Sequence, residues 1–242
     1  MERKRARISP PKSSRQFAPD AVGLQEALRH QLDDLGERLP GYAEIGVGRD
    51  DGKTKGEYSP ILYRADRFEP LESGTFWLSD TPEVIASKSW GNDIPRVCTW
   101  ARLKEKSSGR AFYLFNVHFD HQSQPSREKS AALVVGRMKA RAHPGEPAFL
   151  TGDFNAGEDN PAIAAIKKAG YADSFREVHP DEKAVGTFNG WGGAGATAGA
   201  KIDYIFAPAG TKVADAQIDR VAKDGRTPSD HFPVTAVVEW KR

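Results

Sequence analysis

Acidic and histidine side chains recur along this chain at the ends of apolar runs. Thr151-Gly152-Asp153-Phe154-Asn155 follows a run ending in Leu150. A small glycine lets the backbone turn there, and Asp153 and Asn155, two apart in extended chain, point to one side. Ser229-Asp230-His231-Phe232-Pro233 sets a carboxylate beside an imidazole, ahead of the last apolar run. Lys201-Ile202-Asp203-Tyr204 places an acid inside an apolar stretch, where a lone charge is costly unless it is paired. Gly23-Leu24-Gln25-Glu26 adds a further carboxylate, and Asn116-Val117-His118-Phe119-Asp120-His121 adds two histidines. Each segment alone has an ordinary explanation, since most Asp-His pairs are turns or surface pairs. The set is more specific. Carboxylates with Asn and His, and no thiol among them, suit a hard cation such as Mg²⁺ or Mn²⁺ better than structural zinc.

These segments need a scaffold large enough to bring them together. The chain has 242 residues, 38% of them hydrophobic, with five Trp and twelve Phe, which allows a sizeable core. No composition break or repeat divides it. We expect a polar N-terminal segment over residues 1–20 and a single domain over 21–242. Lys plus Arg number 35 against 33 acids, a formal net charge of +2. A non-specific nucleic-acid binder usually carries a clear basic excess, so a nucleic-acid partner is not favoured, though a local basic patch would permit one. Cys98 is the single cysteine, which rules out an intrachain disulfide and a multi-cysteine metal site. It reads as a small buried residue. No run approaches the ~20 apolar residues needed to span a bilayer.

Periodicity predicts strands over 21–25, 42–47, 59–63, 97–103, 111–119, 147–151, 202–206, 212–218 and 234–240. Helices are predicted over 27–39, 127–141 and 161–169, the last opened by Pro161 in its first turn. Strands outnumber helices without strict βαβ alternation, which favours a mixed-sheet, layered α/β fold over a barrel. The glycine-rich run 190–196 lacks a following Gly-Lys-Ser/Thr and reads as a surface loop, with a substrate-facing loop tipped by Trp191 as the alternative. Phe76, Trp77, Trp90 and Trp100 read as core.

In order and spacing, the acidic and histidine motifs resemble those of the endonuclease/exonuclease/phosphatase superfamily of phosphoesterases, over roughly residues 20 to 240. Gly56-Glu57-Tyr58-Ser59-Pro60-Ile61-Leu62-Tyr63-Arg64 and Gly74-Thr75-Phe76-Trp77-Leu78-Ser79-Asp80-Thr81-Pro82 look most like a bacterial branch of small hydrolases. The resemblance implies a four-layer α/β sandwich of two stacked mixed sheets flanked by helices, with the site at one end. It implies Glu26 and Asp230 as metal-side carboxylates for Mg²⁺ or Mn²⁺. Asp153 would orient or deprotonate the attacking water, and Asn155 would donate a hydrogen bond to the phosphate. Asp203 would hold the ring of His231, which would stabilise the phosphoryl oxygens. His118, with Glu57 as its carboxylate partner, and Arg96 would complete the phosphate grip. Asp120 and His121 would reach the metal or leaving group, or support the site through Arg127.

One departure stands out. The resembled proteins open with a buried strand ending in a metal-binding Asn, about twenty residues or more before the position of Glu26. Here Met-Glu-Arg-Lys-Arg-Ala-Arg occupies that region. The expectation is a shortened form of a longer chain, the alternatives being weakened metal affinity or lost activity. A true start at Met1 would give a cytoplasmic protein, and a missing upstream segment would permit secretion. The function expected is metal-dependent hydrolysis of phosphate mono- or diesters of small or soluble substrates. A nuclease and a non-catalytic protein are the alternatives.

Overall fold

The computed structural model describes residues 18–239. Residues 1–17, most of the expected N-terminal segment, and Trp240 at the end of the last predicted strand lie outside the described residues. The elements run β1 (Ala21–Gly23), α1 (Arg29–Arg38), β2 (Tyr42–Ile45), β3 (Ile61–Arg64), β4 (Phe68–Trp77), β5 (Val97–Glu105) and β6 (Ala111–His118). There follow α2 (Gln124–Lys139), β7 (Ala148–Asp153), α3 (Pro161–Lys168), β8 (Tyr171–Asp173), α4 (Ser174–Val178), β9 (Asp203–Pro208), β10 (Lys212–Ile218) and β11 (Val234–Glu239).

The larger sheet has the order β4-β5-β6-β7-β9-β8 and is mixed, β6 and β7 being parallel and their neighbours antiparallel. β6 is buried along nearly its whole length because alternate side chains feed two different cores. Tyr113, Phe115 and Val117 face α2 and α3, meeting Val134 and Met138 of the first helix and Ile163 and Ile166 of the second. Phe112 and Leu114 face the other way, onto Ile61 and Tyr63 of β3.

That second core lies under two smaller sheets, β1-β3-β2 and β10-β11. Ala21 of β1 and Val238 of β11 both pack against it. Among the described residues, one edge of β1 and one edge of β11 pair with no strand. α1 closes the outer side, with Leu32 set against Ala27 and Tyr58. The layering is the one the resemblance implies.

Local chemistry explains the helix starts. α2 begins behind Ser123, whose hydroxyl accepts from the Ser126 N–H, and α3 begins behind Asn160, whose side chain accepts from the Ala162 N–H. Each helix carries proline in its first turn, where no partner is needed for the N–H it lacks. Sequence reading missed β4 entirely. It is an edge strand with an exposed face carrying Glu69, Pro70 and Glu72 and an irregularity between Pro70 and Glu72, so no apolar alternation marks it. β8 and α4 are too short to leave a period.

Candidate active site

β6 and β7 run parallel, so their ends fall side by side, and their register sets His118 beside Asp153. β9 pairs antiparallel with β7 and sets Asp203 opposite Asp153. The loop before β11 brings Asp230 and His231. Glu26 arrives from the smaller sheet, just beyond β1. These side chains open into one pocket of about 300 Å³, lined by Glu26, Glu57, Arg96, His118, Asp153, Asn155, Asp230 and His231. Asp203 stands behind it, bonded to His231. All nine residues singled out from the sequence therefore sit at this one end of the sandwich.

The two sheets are fastened at this end by Asn116, which is fully buried. Its amide donates to the carbonyls of Leu24 (2.8 Å) and Pro60 (3.0 Å) in the small sheet. Its oxygen accepts from Gln25 Nε2 (2.8 Å) and from Thr151 Oγ1 of β7 (3.0 Å). Gly23 is required for this approach, because a Cβ there would stand 2.2 Å from the Asn116 oxygen. Glu26 takes a left-handed conformation, φ 59°, unusual for a side chain of its kind. The turn carries its carboxylate to the pocket, where it lies 4.0 Å from His118 Nε2.

Asp153 Oδ1 accepts from the Asn155 backbone N–H at 2.8 Å, and Oδ2 faces His118 Nε2 at 3.5 Å and His231 Nε2 at 4.0 Å. Burial, with the nearby Asp203 charge, pushes the Asp153 carboxyl up to about 7. His231 goes the other way from what burial alone would do. Burial disfavours its charged form, but the 2.9 Å hydrogen bond to Asp203 and the charges of Asp203, Asp153 and Asp230 outweigh that and raise it to about 9. At neutral pH its Nδ1–H donates to Asp203 while Nε2–H faces the pocket. His118 is held well below the ordinary histidine range, by burial first and then by Arg96 and Arg49. It is neutral at pH 7.

Arg96 is buried and kept in place by Asp120 at 3.5 Å and His121 Nδ1 at 2.9 Å. Asp120 does not line the pocket. Its carboxylate accepts from the Gln122 and Ser123 N–H groups, and its carbonyl accepts from Arg127, which is the supporting role weighed above. Glu57 departs from expectation. Its carboxylate pairs with Arg49 at 2.6 Å, not with His118. Arg49 was missed because nothing in its own stretch marks it; the turn over residues 48–57 folds it back onto Glu57. Thr187 was missed too. Its buried hydroxyl accepts from the Ile202 and Asp203 N–H groups, and its carbonyl accepts from the Phe232 N–H. It thus locks the strand bearing Asp203 to the loop bearing His231. Phe188 lines the pocket and meets the His231 ring edge-on at 5.1 Å, whereas none of the glycine-rich residues 190–196 lines it and Trp191 is exposed.

The donors present suit a hard dication. Ligand atoms of Glu26, Glu57 and His118 lie within 4.8 Å of one another, and so do those of Asp153, Asp203 and His231. The first group, two carboxylates and a neutral imidazole, is the better cation site, because the second already holds a protonated histidine. Asp230 borders the pocket but belongs to neither group. Among the described residues, no helix is long and apolar enough to cross a membrane.

The fold has close counterparts among solved structures. A mannosyl-6-phosphatase from Bacteroides thetaiotaomicron is 40% identical, with a TM-score of 0.83 over 91% of this chain and 85% of that one. An endonuclease/exonuclease/phosphatase from Bacteroides vulgatus is 35% identical, with a TM-score of 0.84 over 92% and 85%. An uncharacterised protein of Acanthamoeba polyphaga mimivirus is 30% identical over 144 residues, 57% of this chain; the chain spans about half (53%) of that curated relative. Residues 13–231 match the sequence pattern of one family throughout. The chain belongs to the endonuclease/exonuclease/phosphatase family, whose members are hydrolases acting on phosphoester bonds.

Proposed function

We propose that the chain is a divalent-metal-dependent phosphoesterase acting on small phosphate esters, with a sugar phosphate monoester as the foremost candidate. The observation that carries this reading is the pairing of an acid near neutrality, Asp153, with an imidazolium, His231, across 4.0 Å in one pocket. An unprotonated Asp153 Oδ2 accepts a proton from water and orients it toward phosphorus. His231 donates from Nε2 to a phosphoryl oxygen while Asp203 balances its charge. Arg96 adds a fixed positive charge, and the free N–H of the Asn155 amide supplies a further donor. A Mg²⁺ or Mn²⁺ ion held by Glu26, with Glu57 and His118 beside it, would stabilise negative charge on the phosphate oxygens.

The pocket volume, about 300 Å³, suits a phosphate with one ring attached. The 40% identity to a mannosyl-6-phosphatase makes mannose 6-phosphate the first compound to try. Phosphate release should appear with Mg²⁺ or Mn²⁺, vanish with EDTA and return on adding metal. Full turnover in EDTA after exhaustive dialysis would overturn the metal-dependent reading. Hydrolysis of bis-(p-nitrophenyl) phosphate with no release from any sugar phosphate would overturn the monoester assignment.

A further inference from the structure

Arg49 reaches the phosphate pocket from a tightly braced turn between β2 and β3. The Arg49 N–H donates to the Glu57 carbonyl (3.2 Å), the Asp50 N–H to the Lys55 carbonyl (3.1 Å) and the Gly52 N–H to the Gly48 carbonyl (2.9 Å). The Asp51 carboxylate accepts from the Lys53 and Lys55 N–H groups at 2.8 and 2.9 Å. Two aromatic side chains hold the turn from outside. Tyr58 donates its hydroxyl to the Lys53 carbonyl, and the Trp77 indole donates to the carbonyl of Arg49 itself, both at 2.7 Å. Position 48 must be glycine, since a Cβ there would stand 2.2 Å from the Lys55 carbonyl oxygen. This bracing fixes the backbone from which the Arg49 side chain departs.

Arg49 lines the pocket together with Arg96, His118 and His231, and only 13% of its side chain is exposed. Its close partner is Glu57 at 2.6 Å, while Asp50 stands off at 4.0 Å. Glu57 is also one of the three residues whose ligand atoms converge for a cation, so a bound dication would draw on the same carboxylate. Arg96 is the second guanidinium on this wall, and its own carboxylate partner, Asp120, does not line the pocket. Burial, and next the charge of Arg49, hold the Arg96 guanidinium below its ordinary range. Two guanidinia facing one cavity repel each other, and an anion lodged between them relieves that repulsion.

The family's phosphoester chemistry identifies the anion as a phosphoryl group. We propose that Arg49 is a specificity-determining residue that, with Arg96, binds the terminal oxygens of a phosphate dianion and so favours monoesters over diesters. A monoester near neutral pH carries close to two negative charges spread over three terminal oxygens. A diester carries one charge on two such oxygens, and an ester oxygen stands where the third would be. That oxygen is a poor acceptor for a guanidinium, whose planar fork matches charged phosphate oxygens. The inference rests on the reading of this pocket as a phosphoesterase site.

The test uses the whole chain in Mg²⁺ buffer at about pH 8, where phosphate is chiefly dianionic. Calorimetry with inorganic phosphate should show saturable binding to the unaltered chain. Arg49→Met should weaken it about 10- to 100-fold, the scale of a lost charge-assisted hydrogen bond. The loss should persist when Glu57→Gln is added, which removes the carboxylate that Arg49→Met leaves unpaired. In Arg49→Met, kcat/KM for p-nitrophenyl phosphate should fall by a similar factor, and that for methyl p-nitrophenyl phosphate by about threefold or less. Equal losses on the two esters overturn the specificity role. No saturable phosphate binding by the unaltered chain, binding unchanged in Arg49→Met, or binding recovered in the double variant overturns the contact itself. Arg49-dependent phosphate binding with neither ester hydrolysed would sink the phosphoesterase reading and leave the anion contact standing.

Discussion

His231 Nδ1 and Asp203 Oδ2 meet at 2.9 Å, joining the start of β9 to the loop before β11. The bond sets the charge of the pocket. His231 should titrate near pH 9 and His118 well below 6.5, so at pH 7.5 the first is charged and the second neutral. The sign follows from the partners. A carboxylate favours the protonated ring, so protonation is lost only as pH rises through the elevated value. Asp203→Asn removes that charge and should bring the His231 titration down by at least one pH unit, about 1.4 kcal/mol. Imidazole chemical shifts followed against pH in metal-free protein would check both values. A His231 titration unmoved in Asp203→Asn would count against the assignment.

Removing the groups that face the reacting centre should cost rate with little cost to the fold. His231→Ala and Asp153→Asn should each lower kcat by about 10²-fold or more, the scale of an acid–base or electrostatic group. Cys98→Ser is the contrast. Cys98 is fully buried and burial pushes its thiol well above the ordinary range, so the serine variant should act through stability alone. Turnover beside thermal melts for the three variants separates the effects.

Gly23→Ala should disturb the site from outside the pocket. The added Cβ would stand 2.2 Å from Asn116 Oδ1 and 2.6 Å from Thr151 Oγ1, so the fastening between the sheets must shift. Overpacking of this kind costs about 1–3 kcal/mol. Because Glu26 follows three residues later, the stabilisation gained from added Mg²⁺ should fall as well. Melts of both proteins with and without Mg²⁺ would show it, and an unchanged Mg²⁺ increment would disconnect Gly23 from the metal side.

Lys201 and Asp173 form an ion pair at 2.9 Å with neither side chain exposed. The ammonium also lies over the Tyr204 ring, 3.3 Å from its centroid. Breaking one half of such a pair leaves a buried charge alone and typically costs about 3–5 kcal/mol. Lys201→Met should therefore destabilise strongly. Asp173→Asn in the same chain keeps the cap on α4, where the Asp173 side chain accepts from the Phe175 N–H, and should recover part of the loss. Urea unfolding of the single and double variants measures the coupling.

The residues legible in the sequence are those whose partners lie in the same short motif or at the end of a strongly apolar strand. Asp153 and Asn155 declared themselves beside β7, and His231 beside its neighbour Asp230. Arg49 and Thr187 did not, because each acquires its role only when distant chain folds onto it: Arg49 against Glu57, and Thr187 between β9 and the loop before β11. Glu57 lines the pocket as expected but pairs with Arg49 and not His118, because burial keeps the imidazole neutral and the guanidinium is the charged neighbour. The layered mixed-sheet class followed from strands outnumbering helices without strict βαβ alternation, and the two-sheet sandwich from the resembled motifs, whereas β4 was invisible because its charged outer face erases the alternation.

Asn116 holds one sheet's Asp153 and the other sheet's Glu26 to a common centre, so the catalytic groups straddle a seam rather than belong to either half. Such a centre is more fragile than the halves that build it. Sliding or parting of the sheets by a few ångströms would scatter the reacting groups while every strand kept its ladder and every helix its turns. Activity would then fail at a lower temperature or denaturant concentration than far-ultraviolet dichroism, and turnover would serve as an early gauge of how firmly the two sheets are docked.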